Sequence, residues 1–295
     1  MPVMTPLAWW QALPPKARAV LLMITAVTLF SVMDACAKAL GARTGPVPAI
    51  WARYLGQTLV VLIIVAPRLR QVIRTAHPRI QLLRSVLLMC GTTLFFISVT
   101  QLDLAVATAI MNINPVLITL GAALFLGEKI GLRRAVGIGV ALLGALVIIR
   151  PGMGVFQPAA LLPVAAALVY SGYNLATRFV RRDDSWTSLL YTAGFGTVVM
   201  SVAVPFFWVP PDGIAIALML AIAAAGTTSQ ICLIRALSLG EAGMLAPFAY
   251  VGLLSATMIG AVVFDEWPDI WTWVGGAMIV GAGLYVWARE MRAKA

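Results

Sequence analysis

Apolar runs of about 20 residues, each long enough to cross a bilayer core, follow one another from Lys16 to the C-terminus. Only short clusters of charge, proline or glycine divide them. Backbone facing lipid must satisfy its own hydrogen bonds, so each run has to be a helix. The spans are placed at 18–40, 47–66, 82–101, 104–126, 133–149, 158–180, 187–207, 213–235, 241–264 and 268–288. No segment is left for a soluble domain. With 61% hydrophobic and only 11% charged residues, the chain carries more apolar side chain than an aqueous fold of its size can hide. The first run follows Lys16 and Arg18, exceeds a signal-peptide core and lacks a small-x-small cleavage site, so it is expected to stay as helix 1.

A net charge of +10 would suggest nucleic acid in a soluble domain, but here the placement of the charge decides. With a cytoplasmic N-terminus, 17 of the 21 Lys and Arg fall in cytoplasmic segments. These include Arg68, Arg70, Arg84, Arg178 and Arg235. The other side keeps Arg43 and Arg150, with Lys38 near its boundary and Arg53 inside helix 2. That bias sets both termini in the cytoplasm of a bacterial inner-membrane protein and explains the basic loops without nucleic acid. Trp51, Trp186, Trp208, Trp267 and Trp287 at span ends fit interfacial belts. Cys36, Cys90 and Cys232 are scattered inside apolar runs and read as small packing residues.

The chain also repeats itself. An offset of 140 residues lays Phe30-Ser31 and Asp34 on Tyr170-Ser171 and Asn174, then Lys38 on Arg178, Trp51 on Tyr191 and Gly56 on Gly196. An offset of 135 matches Gly91-Thr92-Thr93 to Gly226-Thr227-Thr228, and one of 138 matches Gly127-Glu128 to Asp265-Glu266. The units are 18–150 and 158–289. Each holds five spans, an odd number, so the second enters the membrane upside down relative to the first. An inverted pair around an axis in the membrane plane encloses a cavity whose two mouths can exchange roles, the basis of alternating access.

The stretch from Leu102 through Asn114-Pro115 to the FLGE ending at Glu128, with the helix of Gly137, Gly139 and Gly144 after it, resembles the EamA repeat of the drug/metabolite transporter superfamily. So does RALSLGEAGMLAPFAY from Arg235 to Tyr250, followed by FDEWPD from Phe264 to Asp269. The resemblance implies an all-α membrane fold of ten helices with both ends in the cytoplasm. It further implies a secondary transporter of small metabolites, similar to bacterial exporters of amino acids, aromatic ones among them. Riboflavin, sugar-phosphate, nucleotide-sugar and drug carriers are relatives within the superfamily.

Charged and polar side chains inside the spans are the candidates for substrate contact, because intramembrane charges face a cavity or each other. Asp34 and Lys38 lie four apart on one face of helix 1 and can pair. Arg53 reaches a similar depth from helix 2, so the three could hold a zwitterion or simply lock two helices together. Asn112 and Asn114 sit mid-span beside Pro115, where a proline frees a carbonyl. Tyr250 and Pro247 are their counterparts, and both prolines are hinge candidates. Tyr54, Gln57, Tyr170, Tyr173, Asn174 and Gln230 complete the set. Glu128 and Glu266, at corresponding helix ends, read as loop closure. Small residues at Gly137, Gly144, Gly275, Gly276 and Gly283 let helices 5 and 10 pack closely, within one monomer or across a weak homodimer.

No Walker loop, metal-ligand cluster or nucleophile elbow is present, and His77 has no catalytic partner nearby, so an enzyme, a cofactor and a bound metal are not expected. The leading expectation is an amino-acid exporter, with a small-molecule substrate and the lipid bilayer as partners and Asp34 as the carboxylate available for proton coupling. Uptake of a vitamin or cofactor such as riboflavin is the alternative within transport. A lipid scramblase or non-transporting scaffold is the alternative outside it.

Overall fold

In a computed structural model, which describes residues 13–126, 131–151, 157–180 and 183–294, the chain is helical and no strand occurs among the described residues. Twelve helices carry the spans: α1 (Pro15–Thr44), α2 (Pro46–Val65), α3 (Pro78–Gln101), α4 (Leu104–Met111), α5 (Asn114–Leu126) and α6 (Leu132–Ile149) come first. Then follow α7 (Leu161–Phe179), α8 (Ser185–Ala203), α9 (Gly213–Leu239), α10 (Ala242–Ala249), α11 (Val251–Phe264) and α12 (Ile270–Lys294). Among the described residues, nine helical stretches are long and apolar enough to cross a membrane, and Ala135–Ile149 is a shorter apolar helix.

Local chemistry sets the boundaries. Prolines open α1, α2 and α3 at positions where a missing N–H costs nothing. Asp184 and Asp212 cap α8 and α9 by accepting hydrogen bonds from the backbone N–H groups of Trp186 and Ala215. Gly45, at φ 79°, is the only residue between α1 and α2 and adopts a conformation that a side chain would resist.

The fourth and ninth spans, expected as single helices, are broken. Pro115 has no N–H to give the carbonyl of Met111, and the chain turns through Asn112 and Ile113 between α4 and α5. The second break falls at Tyr250, three residues after Pro247, between α10 and α11. Both breaks occur at matched positions, Asn112 and Tyr250, under the 138-residue offset.

Packing follows the repeat. Helix α1 lies along α9 and α3 along α7, while α2 meets α8 and α6 meets α12. The broken helix α4–α5 packs on α7, and α10–α11 packs on α1. Exchanging the halves interchanges α1–α9 with α3–α7 and the two broken-helix contacts with each other, and returns α2–α8 and α6–α12 to themselves. The α6–α12 contact is therefore internal: a Cβ on Gly144 would come within 2.7 Å of the Gly275 carbonyl oxygen, and one on Gly137 within 2.6 Å of Val286. The small residues of helices 5 and 10 thus serve a contact inside one chain. The exchange is not complete. Helix α1 also packs against α2 and α3, whereas α7, α8 and α9 stand around an open cavity.

Candidate functional site

The cavity encloses about 740 Å³ and reaches from the α7–α8 turn at Asp183 and Ser185 to the level of Asp34 and Arg53. Its size falls within the roughly 300–1,000 Å³ of small-molecule sites. Arg53 projects from α2, only 9% exposed, and donates to the Thr92 hydroxyl at 3.2 Å. That hydroxyl also meets Tyr54 and Tyr170, each at 3.1 Å. The guanidinium carbon stands 5.6 Å from the centre of the Phe96 ring, which limits its orientation. Asp34, on α1, lines the cavity and makes no hydrogen bond and no ion pair within 4 Å to any described residue. A carboxylate and a guanidinium thus face one water-accessible space without neutralising each other by direct contact.

The expected Asp34–Lys38 pair does not form. Lys38 points toward the helix end, where its ammonium lies 2.5 Å from Glu266 Oε1 and 2.5 Å from the Leu102 carbonyl oxygen. Glu266 Oε2 accepts from the Leu104 backbone N–H at 3.0 Å. The reason is reach: a lysine one turn nearer the interface finds a partner for its full charge and keeps its ammonium close to water. Lys38 therefore lies behind the cavity floor, and Glu266, expected merely to close a loop, ties the two halves together. Glu128 lies outside the described residues. Asp103, in the α3–α4 turn, is held above the ordinary carboxylate range by partial burial and by the charge of Glu266, against the pull of Lys38. Three further pairs among the described residues bridge the halves, Arg43–Asp212 at 2.8 Å, Arg150–Asp269 at 2.5 Å and Arg68–Asp184 at 3.8 Å.

Of the other candidates, Asn112, Asn114, Tyr170, Tyr173, Asn174 and Gln230 line the cavity with Pro115. Their amides are partly engaged: Asn112 donates to the Thr108 carbonyl, Asn174 to that of Tyr170, and Asn114 across to Ala167 on α7 at 2.9 Å. Tyr54 is fully buried behind Arg53, and Gln57 is 6% exposed, and neither lines the cavity. Tyr250 and Pro247 line a second, largely apolar pocket of about 180 Å³ between the two broken helices, α6 and α12. It shares Asn112, Pro115 and Ala249 with the cavity, so the two spaces adjoin.

Sequence reasoning missed Arg84, Thr92, Thr108 and Asp183. Arg84, counted among the orientation charges, is 2% exposed and lines the cavity. The signal was present, because Arg84 lay inside the span placed at 82–101, and an arginine within a span is a site candidate. Thr108 contributes a buried hydroxyl with no hydrogen-bond partner among the described residues.

Broken helices, membrane-length apolar spans and a cavity between two halves that carries charged and polar side chains on a largely apolar wall define a multi-pass membrane transporter. The profile of the EamA-like transporter family matches residues 17–150 and 157–287, and the chain belongs to that family. It is 27% identical over 264 residues to an S-adenosylmethionine uptake transporter of Rickettsia felis, covering 89% of this chain and 90% of the relative. A riboflavin transporter of Brucella anthropi is 25% identical over 282 residues, 91% of this chain and 98% of its own length. A pseudopaline exporter of Pseudomonas aeruginosa is 30% identical over 271 residues, with coverage of 89% and 93%. One solved structure aligns over 95% of this chain and 99% of its own at a TM-score of 0.68 and 19% identity, a likeness of fold.

Proposed function

We propose that this protein is a secondary transporter of amino-acid-type zwitterions and their derivatives, working by alternating access between two inverted five-helix units of a bacterial inner membrane. The carrying observation is the cavity in which Asp34 and Arg53 stand without direct contact. A substrate ammonium at Asp34 and a carboxylate at Arg53 would replace the water lost on entry with charge-assisted hydrogen bonds. The side pocket between Pro115 and Tyr250 offers about 180 Å³ to an apolar or ring-bearing part. Relatives named for S-adenosylmethionine and for pseudopaline give the transport reading its company.

The exchange of helix pairings between halves and the odd number of spans in each unit support the inverted arrangement. With the termini in the cytoplasm, as the basic residues favour, the cavity opens inward and the Lys38–Glu266 pair closes the periplasmic side. Direction of net flux then follows the substrate and proton gradients, with Asp34 as the group exchanging a proton; export is the reading we carry from the family resemblance. Uptake of a flavin is the second reading, favoured by the riboflavin-transporting relatives and the apolar side pocket. Proteoliposomes given labelled amino acids, S-adenosylmethionine and riboflavin in parallel test both. Flux of at least one zwitterion that Asp34→Asn or Arg53→Gln abolishes supports the proposal. Flux of riboflavin alone, or lipid flip without solute flux, contradicts it.

A further inference from the structure

Arg84 is an expensive residue to hold where it is. Its residue exposure is 2%, and its guanidinium bonds only neutral groups: Nε to Thr177 Oγ1 at 2.8 Å, Nη1 to Gln81 Oε1 at 2.6 Å and Nη2 to the Tyr173 hydroxyl at 3.3 Å. Among the described residues no carboxylate lies within 4 Å of it. Asp183 is reached only through Gln81, whose Nε2 donates to Asp183 Oδ2 at 2.8 Å. A buried charge with neutral partners is costly unless something else compensates it. Orientation bias alone would be served in water, where Arg68 and Arg70 already are. A tie between α3 and α7 alone would be served by an uncharged amide.

Arg84 also faces the cavity. It carries five N–H donors and spends three on the contacts above. The Tyr173 ring lies 5.0 Å from the guanidinium carbon and limits its orientation. Along α3, Arg84 and Thr92 are eight residues apart, so about 12 Å separates the Arg84 level from the level where Arg53 bonds Thr92. Tyr170 stands at the inner level and Tyr173 at the outer, and Leu88 lines the wall between.

We propose that Arg84 forms a second, outer subsite that binds a carboxylate, so that the transported solute carries two carboxylates held apart by an apolar or planar spacer. This rests on reading the cavity as the transport site. A single planar fork suits a carboxylate bidentately. A phosphate dianion would meet only one guanidinium here and would face Asp34 and Asp183 across the same space.

The probes are decanedioate, which spans both levels, and butanedioate, which reaches one. Their binding to the full chain in nanodiscs is measured by calorimetry. Decanedioate is expected to bind at least tenfold more tightly than butanedioate. Arg84→Gln should weaken decanedioate far more than butanedioate, bringing the two probes to similar affinity, whereas loss of a purely structural tie would weaken both by the same factor. Arg53→Gln should weaken both probes. Arg84→Lys, which keeps the charge and serves if the glutamine variant does not fold, should weaken decanedioate several-fold and spare butanedioate. Wild-type decanedioate affinity in the Arg84 variants overturns the outer subsite while a loss in Arg53→Gln upholds the transport reading. Indifference of both probes to Arg53 and Arg84 alike removes that reading as well.

Discussion

Lys38 Nζ lies 2.5 Å from Glu266 Oε1, and this pair joins α1 of the first half to the α11–α12 turn of the second one helical turn beyond Asp34. The lysine also holds the Leu102 carbonyl and lies 5.5 Å from the centre of the Phe264 ring. Three interactions of Lys38 thus converge where the cavity ends. On the proposed alternating-access mechanism, a pair so placed closes one mouth while it is formed.

Breaking a buried ion pair by removing one partner costs roughly 3–5 kcal/mol. With 14% and 16% of the side chains still exposed, the loss here is on the order of 1–2 kcal/mol after screening, a roughly tenfold change in the balance of closed and open mouths. Lys38→Met and Glu266→Gln should each raise labelling of Leu104→Cys by an impermeant thiol reagent about tenfold. The background replaces Cys36, Cys90 and Cys232 with alanine. Unchanged labelling would mean that the pair does not gate.

The α6–α12 contact should be intolerant of even one methyl group. A Cβ on Gly144 would press on the Gly275 carbonyl from 2.7 Å, whereas one on Gly139 meets nothing within 4 Å. Gly144→Ala is expected to cost about 1–3 kcal/mol by overpacking, and Gly139→Ala to gain up to about 1 kcal/mol by helix propensity. Melting temperatures in detergent would move in opposite directions.

Asp269 carries a charge contribution that titrates. Some burial raises its pKa, but hydrogen bonds from the Thr272 hydroxyl and backbone N–H, with the charge of Arg150, hold it below the ordinary value of 3.8. A carboxyl lowered on folding stabilises the protein above its unfolded pKa, and the contribution fades as pH falls through the folded value. Asp269→Asn keeps an acceptor for the α12 cap and deletes the charge. Its melting temperature should fall below wild type at pH 7, and the gap should close as pH falls below the ordinary value of 3.8. A constant gap across that range would assign the effect to the cap.

The proline breaks predict a trade between stability and turnover. Pro247→Ala lets the Gly243 carbonyl regain a hydrogen-bond donor and removes a ring from inside α10. It should raise the melting temperature while lowering flux several-fold. Equal or faster flux would argue against a hinge at Tyr250.

The span pattern and the repeat were legible because lipid leaves backbone few choices and offsets of 135 to 140 residues hold register along the chain. Helix breaks were half legible: Pro115 and Pro247 marked the places, while the turns at Asn112 and Tyr250 depend on packing against neighbouring helices. Partners across the fold were not legible. The i, i+4 spacing allowed Asp34 to meet Lys38, and nothing in the local sequence told that Glu266, 228 residues later, would be nearer. Arg84 was hidden by counting arginines near span ends together, though its own position placed it inside one.

The most direct test of alternating access around a shared cavity is a reversible lock on one mouth. In the cysteine-free background, Lys38→Cys and Glu266→Cys are joined by a short, reducible bifunctional thiol reagent, and flux of the zwitterion found in the liposome screen is followed. Flux should stop on cross-linking and return on reduction, while Ser188→Cys at the opposite mouth stays reactive throughout. Undiminished flux through the locked protein would contradict the account.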